Sequence, residues 1–304
     1  MLATVLALIA FAGCRNDAAA PRAGAASAAP SESVPEPALT PSEQQPASPS
    51  AAAPATTAAG GPSLRPELVD FVRKQPGTLS VQVRDRVTGA TWQAGNVGFA
   101  TWTASTIKLA IATALLERNR AGSITLSAGD RATMRSMLVD SSNEATDALW
   151  EKYDGVGMLP TFRDRYGMAN LAVVAGYRPY WRHLQCSTSD LTAVMTYALG
   201  SLAAADRAEL VGHLRAATRT QPWGMWAAGP AQSPGHKPGW AFKPERSPDH
   251  WVVHSVGFAG PGERYVVAVM YDLPKGGNVK QGAQAVTDVV TLAFGRPKVT
   301  VRGP

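Results

Sequence analysis

Apolar and polar positions alternate with two different periods along this chain, and the period changes at punctuated places. In "RPELVDFVRKQ" the apolar residues recur at helical spacing, which predicts a helix over residues 65–75, stopped by Pro76-Gly77. The next stretch, "TLSVQVRDRVTGATWQAG", alternates every second residue on either side of Val87-Thr88-Gly89, the pattern of a β-hairpin. Residues 103–117, "TASTIKLAIATALLE", are apolar on every side after one polar turn and predict a central, buried helix. Helical spacing returns around 131–153, 188–203 and 204–217. Near the end "WVVHSVGFAG" and "RYVVAVMYDL" flank Pro261-Gly262 as a second hairpin, and "VKQGAQAVTDVVTLAF" (279–294) closes the chain as a helix with one apolar face. Strands at both ends with helices between them predict an α/β chain of the α+β type. One antiparallel sheet would be assembled from the two termini and flanked by helices, and the middle would form an all-helical lobe. No internal repeat is visible.

Composition removes part of the length from the fold. "MLATVLALIAFAGC" is an apolar run too short to span a bilayer and placed like a secretion signal, so residues 1–14 are read as a signal peptide. It resembles a bacterial lipoprotein signal, and the resemblance implies that Cys14 becomes the lipidated first residue of the mature protein. Phe11 stands where that pattern usually has Leu, and no Lys or Arg precedes the apolar run. Residues 15–63 are Ala, Pro, Ser and Thr with almost no large apolar side chain, a composition that cannot repay the entropy of ordering and predicts a tether. The folded domain is therefore expected over 64–304.

Of the two cysteines, Cys186 is left single once Cys14 carries lipid, and it is read as a small buried hydrophobe. The net charge of +6 and pI near 9.5 permit attraction to anionic surfaces. Basic runs interleaved with aromatics are missing, so nucleic acid is not expected as a partner.

The chemistry begins at the polar turn of the greasy helix. Ser105 at a helix start places its hydroxyl near unpaired backbone N–H groups, and Lys108, one turn on, shares its face. A lysine buried there loses its proton easily, and a neutral amine can take the serine proton. A helix-capping serine with a snorkelling lysine would give the same spelling. Two further segments weigh against that alternative: Ser141-Ser142-Asn143 on a tight turn between helices, and Lys237-Pro238-Gly239 at the start of a strand.

Ser-x-x-Lys, Ser-x-Asn and Lys-x-Gly in this order resemble the three site motifs of the class A β-lactamases and the penicillin-binding serine acyltransferases. The resemblance covers essentially all of residues 65–297. It implies Ser105 as acylated nucleophile, Lys108 as its base or proton relay, and Ser141 as proton carrier to the leaving group. Lys237 would hold Ser141 and attract a substrate carboxylate, and Asn143 would hydrogen-bond the substrate amide. Gly239 belongs to the substrate-binding strand, and the backbone N–H groups of Ser105 and Trp240 would form the oxyanion hole.

The sequence also departs from that family. Its members of class A hydrolyse the acyl-enzyme with a Glu in an E-x-x-L-N segment, and "AGYRPYWRHLQCSTSDLTAVM" contains no Glu. Asp190, in "STSD", is read as helix capping. Ser142 stands where the second motif usually has Asp, Pro238 replaces the hydroxyl residue of the third, and alternation is expected to point Trp240 into the cleft beside Pro238. Val253 and His254 occupy the place of an expected Arg, and His250 and His254, roughly 13 Å apart on a strand, cannot share a metal. Neither H-E-x-x-H nor G-x-S-x-G occurs.

The expectation is a lipid-anchored, extracytoplasmic, monomeric serine hydrolase without cofactor or metal, acylated at Ser105 by a peptidoglycan-like or other small amide or ester and turning over β-lactams weakly or not at all. Two rivals stay open: a catalytically degenerate binding lipoprotein of the cell envelope, and a genuine β-lactamase with a non-standard deacylating base.

Overall fold

The strand-forming runs at the two ends of the chain meet in one five-stranded sheet. The computed structural model describes residues 61–243 and 250–303, so the signal-like segment, Cys14 and all but the end of the tether lie outside the described residues. The N-terminal hairpin supplies β1 (Thr78–Asp85) and β2 (Thr91–Ala94). A two-residue β3 (Thr101–Trp102), β4 (Ala172–Val173) and β5 (Leu184–Cys186) form a separate small sheet in the order β3-β5-β4. The C-terminal part supplies β6 (Gly235–Phe242), β7 (Trp251–Ala259) and β8 (Tyr265–Asp272). The main sheet runs β2-β1-β8-β7-β6, with every neighbour antiparallel. Strand β8, buried along its whole length, joins the two termini, and its unbroken apolar sequence reflects cover on both faces.

Helices α1 (Pro66–Lys74) and α8 (Val279–Ala293) cover one face, where Leu68, Val72, Val253, Val269, Val286 and Val290 share a core cluster. The other face is covered by α2 (Lys108–Arg120) and α6 (Thr188–Ser201), packed on Val256, Phe258, Ala268 and Met270. Residues Lys108 to Leu116 of α2 are all buried, as the unbroken apolar run predicts. Each buried Leu or Ile there contributes about 1.5–3 kcal/mol of transfer free energy. The helical lobe adds α3 (Ala128–Val139), α4 (Asn143–Lys152), α5 (Leu159–Asp164) and α7 (Ala204–Thr220). The chain is therefore α/β of the α+β type, with both expected hairpins, the first helix and the last helix in place.

Helix α5 and the small sheet carry too few periodic positions to be legible beforehand. Ser63, placed in the tether by composition, already donates its amide to the Ala293 carbonyl at 2.9 Å. Cys186 is fully buried, and burial pushes its thiol well above the usual range.

Candidate active site

Ser105 sits in a one-turn 3-10 segment, Ala104–Ile107, that feeds directly into α2. The turn is tight: Ala104 holds φ 48°, a left-handed conformation that a non-glycine residue adopts only under constraint. The constraint comes from both sides, because the Thr103 amide donates to the Leu184 carbonyl at 2.8 Å and the Thr106 hydroxyl donates to the Thr103 carbonyl at 2.5 Å. Ser105 itself is half-buried.

Lys108 is fully buried one turn on. Its Nζ donates to the Ser141 carbonyl at 2.7 Å, to Asn143 Oδ1 at 3.0 Å and to the Ser142 carbonyl at 3.3 Å, with Ser141 Oγ at 3.5 Å. Among the described residues it makes no hydrogen bond to Ser105; the amine spans instead to the turn between α3 and α4. Burial pulls its pKa down to about 7, helped by the positive charge of Arg182 and opposed by Asp147 and Glu144.

The α3–α4 turn is built for this contact. Ser141 takes φ 57°, and Ser142 then caps α4, accepting from the Ala145 amide at 3.0 Å and donating to Glu144 Oε2 at 3.0 Å. The capping role explains why Ser is accepted where Asp is usual. Ser141 Oγ meets a second lysine, since Lys237 Nζ donates to it at 2.9 Å and to the Pro238 carbonyl at 2.8 Å. Lys237 is also fully buried, and burial, followed by the charge of Lys108, holds its pKa well below the usual lysine range. One hydroxyl thus lies between two amines that bind protons reluctantly.

The register of β6 against β7 places the third motif. The Lys243 amide donates to the His250 carbonyl at 2.8 Å, and hydrogen-bonded pairs recur every second position, so Gly239 and Lys237 also face β7. Trp240 and Pro238 therefore turn their backbone groups off the free edge of the sheet, towards the Ser105 turn. The proline's missing N–H removes no ladder bond, and its carbonyl is free to receive Lys237. A Cβ on Gly239 would stand 2.7 Å from the Ser105 nitrogen and 2.8 Å from the Thr106 nitrogen, so only glycine lets strand and turn come this close.

The side chain of Trp240 does not enter the cleft as expected. It packs with the α8-side core, its ring 6.3 Å from that of Trp223, while Ala241 packs near Trp102 and Ala104 on the cleft side. The alternation has the opposite phase from the one expected: Lys237 and Gly239 hold the cleft side, so Pro238 and Trp240 take the other.

His254 is buried beside Trp102, with Nε2 bonded to the Trp102 carbonyl at 2.9 Å and Nδ1 accepting from the Tyr271 amide at 3.2 Å; burial lowers its pKa to about 4, so it supplies no charge in place of arginine. His250 instead pairs with Asp272 at 2.5 Å. Asp190 caps α6 in a capping box with Ser187 and also receives Asn170.

One residue of the site escaped the sequence reading. Trp181 is 3% exposed, and Lys108 Nζ lies over its ring, 4.8 Å from the centroid. The available signal was the frame of "WRHLQ", which keeps the Leu of E-x-x-L-N with Trp181 at the Glu position and Gln185 at the Asn position. Asp147 on α4 accepts from Trp181 Nε1 and Tyr180 OH, each at 2.7 Å, and from Arg182 Nη2 at 2.9 Å. Burial pushes the Asp147 carboxyl up, but these donors hold it below its usual value.

The chain has the β-lactamase-like fold. A β-lactamase from Chitinophaga pinensis superposes with a TM-score of 0.64 at 14% identity, covering 75% of this chain and 97% of the other. An ancestral class A β-lactamase gives 0.60 at 19% identity over 74% and 96% of the two chains, and one from Burkholderia vietnamiensis 0.59 at 22% over 75% and 93%. In sequence the chain is similar to proteins named "Putative lipoprotein LppW" of Mycobacterium tuberculosis and Mycobacterium bovis, 29% identical over 212 residues, which are 67% of this chain and 66% of those proteins. No protein-family model matches.

Proposed function

We propose that this protein is a lipid-anchored, extracytoplasmic serine acyltransferase or hydrolase that forms an acyl-enzyme at Ser105. The observation that carries the reading is Ser141 Oγ, held by Lys237 at 2.9 Å and 3.5 Å from Lys108, beside the turn that presents Ser105. The Ser105 oxygen adds to an amide or ester carbonyl while its proton passes to a neutral lysine amine. The tetrahedral oxyanion is met by the Ser105 and Trp240 amides. Ser141 hands a proton to the departing nitrogen or oxygen and is resupplied from the lysine pair, leaving a Ser105 ester and a free amine or alcohol. Lys108 must swing from the α3–α4 turn towards Ser105, or act through Ser141, for the first proton to move.

A substrate carboxylate arriving beside Lys237 offsets the burial and the Lys108 charge that disfavour its proton, so the ammonium forms as a carboxylate-bearing, peptidoglycan-like substrate binds, and the Asn143 side chain, its Oδ1 fixed by Lys108, offers its amide N–H to the substrate. The lipid anchor is supported by the segment ending in Cys14 and by the lipoprotein name of the mycobacterial relatives. No helix among the described residues is long and apolar enough to cross a membrane. The protein acts as a monomer.

Intact mass spectrometry after incubation with a fluorescent penicillin and with a fluorophosphonate tests the reading. A single adduct lost in Ser105→Ala is expected, and wild-type protein that stays unmodified by both would overturn it. A second reading, a binding lipoprotein that retains the fold, is favoured by the missing Lys108–Ser105 hydrogen bond; it predicts that Ser105→Ala leaves the cellular phenotype intact.

A further inference from the structure

Lys108 has an unusual neighbour for an amine that moves protons. The carboxylates that feel its charge, Asp147 and Glu144 on α4, make no hydrogen bond to it among the described residues, whereas the face of Trp181 covers it at 4.8 Å. The indole is not free to leave. Its Nε1 is tied to Asp147, the Arg182 guanidinium lies 4.6 Å from its ring centroid, and Tyr180 is fixed by the same Asp147 oxygen while packing edge-on against Trp150. The short segment carrying Trp181 also packs against the Ser105 turn.

We propose that Trp181, clamped by Asp147, is a positioning residue that keeps water and any carboxylate away from the Lys108 side of an acyl ester on Ser105, so that the acyl-enzyme persists. The inference rests on the acyl-enzyme reading above. Hydrolysis needs a water whose oxygen bonds to the acyl carbon and whose proton goes to a base. The Ser105–carbon bond then breaks, a carboxylic acid departs and the serine regains its proton. An apolar ring over Lys108 removes both the site for that water and the place for its base. Acylation is spared, because there the serine itself is the nucleophile. The same ring helps keep Lys108 dry, against Lys237 on β6, Arg182 on the loop, and Glu144 and Asp147 on α4.

The test follows the penicillin adduct by intact mass over time, with the pH profile of single-turnover acylation as a second readout. Trp181→Phe keeps the adduct lifetime within about threefold of wild type. Trp181→Ala shortens it by at least roughly tenfold and moves the acylation midpoint upward from pH 7 as water reaches the amine. Trp181→Glu shortens it further, within the roughly 10²–10⁴-fold range of a placed general base. Should Trp181→Ala fail to fold, Asp147→Asn, which loosens the indole without removing it, carries the same expectation for the lifetime alone, because loss of a carboxylate that raises the Lys108 pKa acts on the midpoint in the opposite direction. Adducts as durable in the Ala and Glu variants as in wild type, with an unmoved midpoint, would overturn the inference and leave acylation standing. A wild-type protein with no adduct would instead strike the acyl-enzyme reading.

Discussion

Gly239→Ala is the sharpest probe of the site, because one methyl group separates fold from chemistry. Its Cβ would stand 2.7 Å from the Ser105 nitrogen, 2.8 Å from the Thr106 nitrogen and 3.2 Å from Ser105 Cα. All three are backbone atoms of the turn that leads into the buried part of α2 and cannot swing aside. Ordinary van der Waals separation of about 3.4 Å requires β6 and the turn to part by roughly 0.7 Å. Among the described residues β6 is an edge strand with a ladder partner on one side, so it can shift, and the cost to stability is that of a modest overpacking, about 1–3 kcal/mol. The two amides assigned to the oxyanion sit on the two sides of this gap. A displacement near 1 Å costs on the order of 10²-fold in rate, and loss of one donor on the order of 10²–10³. We therefore expect acylation by a fluorescent penicillin to slow by at least roughly 100-fold while the far-UV circular dichroism stays native. Acylation within about threefold of wild type would refute the placement of the oxyanion hole between the two amides, since the methyl cannot be accommodated without moving one of them.

The remaining predictions concern charge. Lys108 must be neutral to accept the Ser105 proton and its pKa is lowered to about 7, so single-turnover acylation should rise tenfold per pH unit below that value and level off above it; a profile still climbing past pH 9 would assign the base elsewhere. Asp272, 5% exposed, receives Lys243 Nζ at 2.6 Å, Thr101 Oγ1 at 2.6 Å and His250 Nε2 at 2.5 Å, and these donors lower its pKa against the opposing effect of burial. Asp272→Ala strands the buried Lys243 ammonium and should cost roughly 3–5 kcal/mol, a fall in melting temperature of about 10 °C. Because the folded pKa of Asp272 lies below the unfolded one, its stabilising contribution is full above pH ~4 and fades as acid titrates the folded carboxyl, so the wild-type and mutant melting curves should converge at low pH. A mutant that melts with wild type at neutral pH would show that the cluster contributes nothing.

The sequence by itself determined a good deal of this protein. Period-two alternation specifies the N-terminal hairpin, two apolar runs flanking Pro261-Gly262 specify the C-terminal one, and "TASTIKLAIATALLE" specifies a buried helix, because no polar face is left to wet. The order of Ser105, Ser141 and Lys237 with their neighbours was enough to bring the resemblance and the fold; in space Lys237 bonds Ser141, and Gly239 of the same strand lies against the Ser105 backbone. The tertiary structure alone decided which face each β6 residue takes. Trp240 was placed in the cleft by counting along the strand, but the phase of an alternation is fixed by what packs on either side, and Lys237 on Ser141 fixed it the other way. It also decided the environment of Lys108. Trp181 and Asp147 lie 73 and 39 residues further along the chain, in a loop with no period of its own and on a helix whose exposed face could have pointed anywhere. Desolvation and hydrogen bonding are properties of what surrounds a group in space, so whether that lysine carries its proton is written in the packing of distant residues.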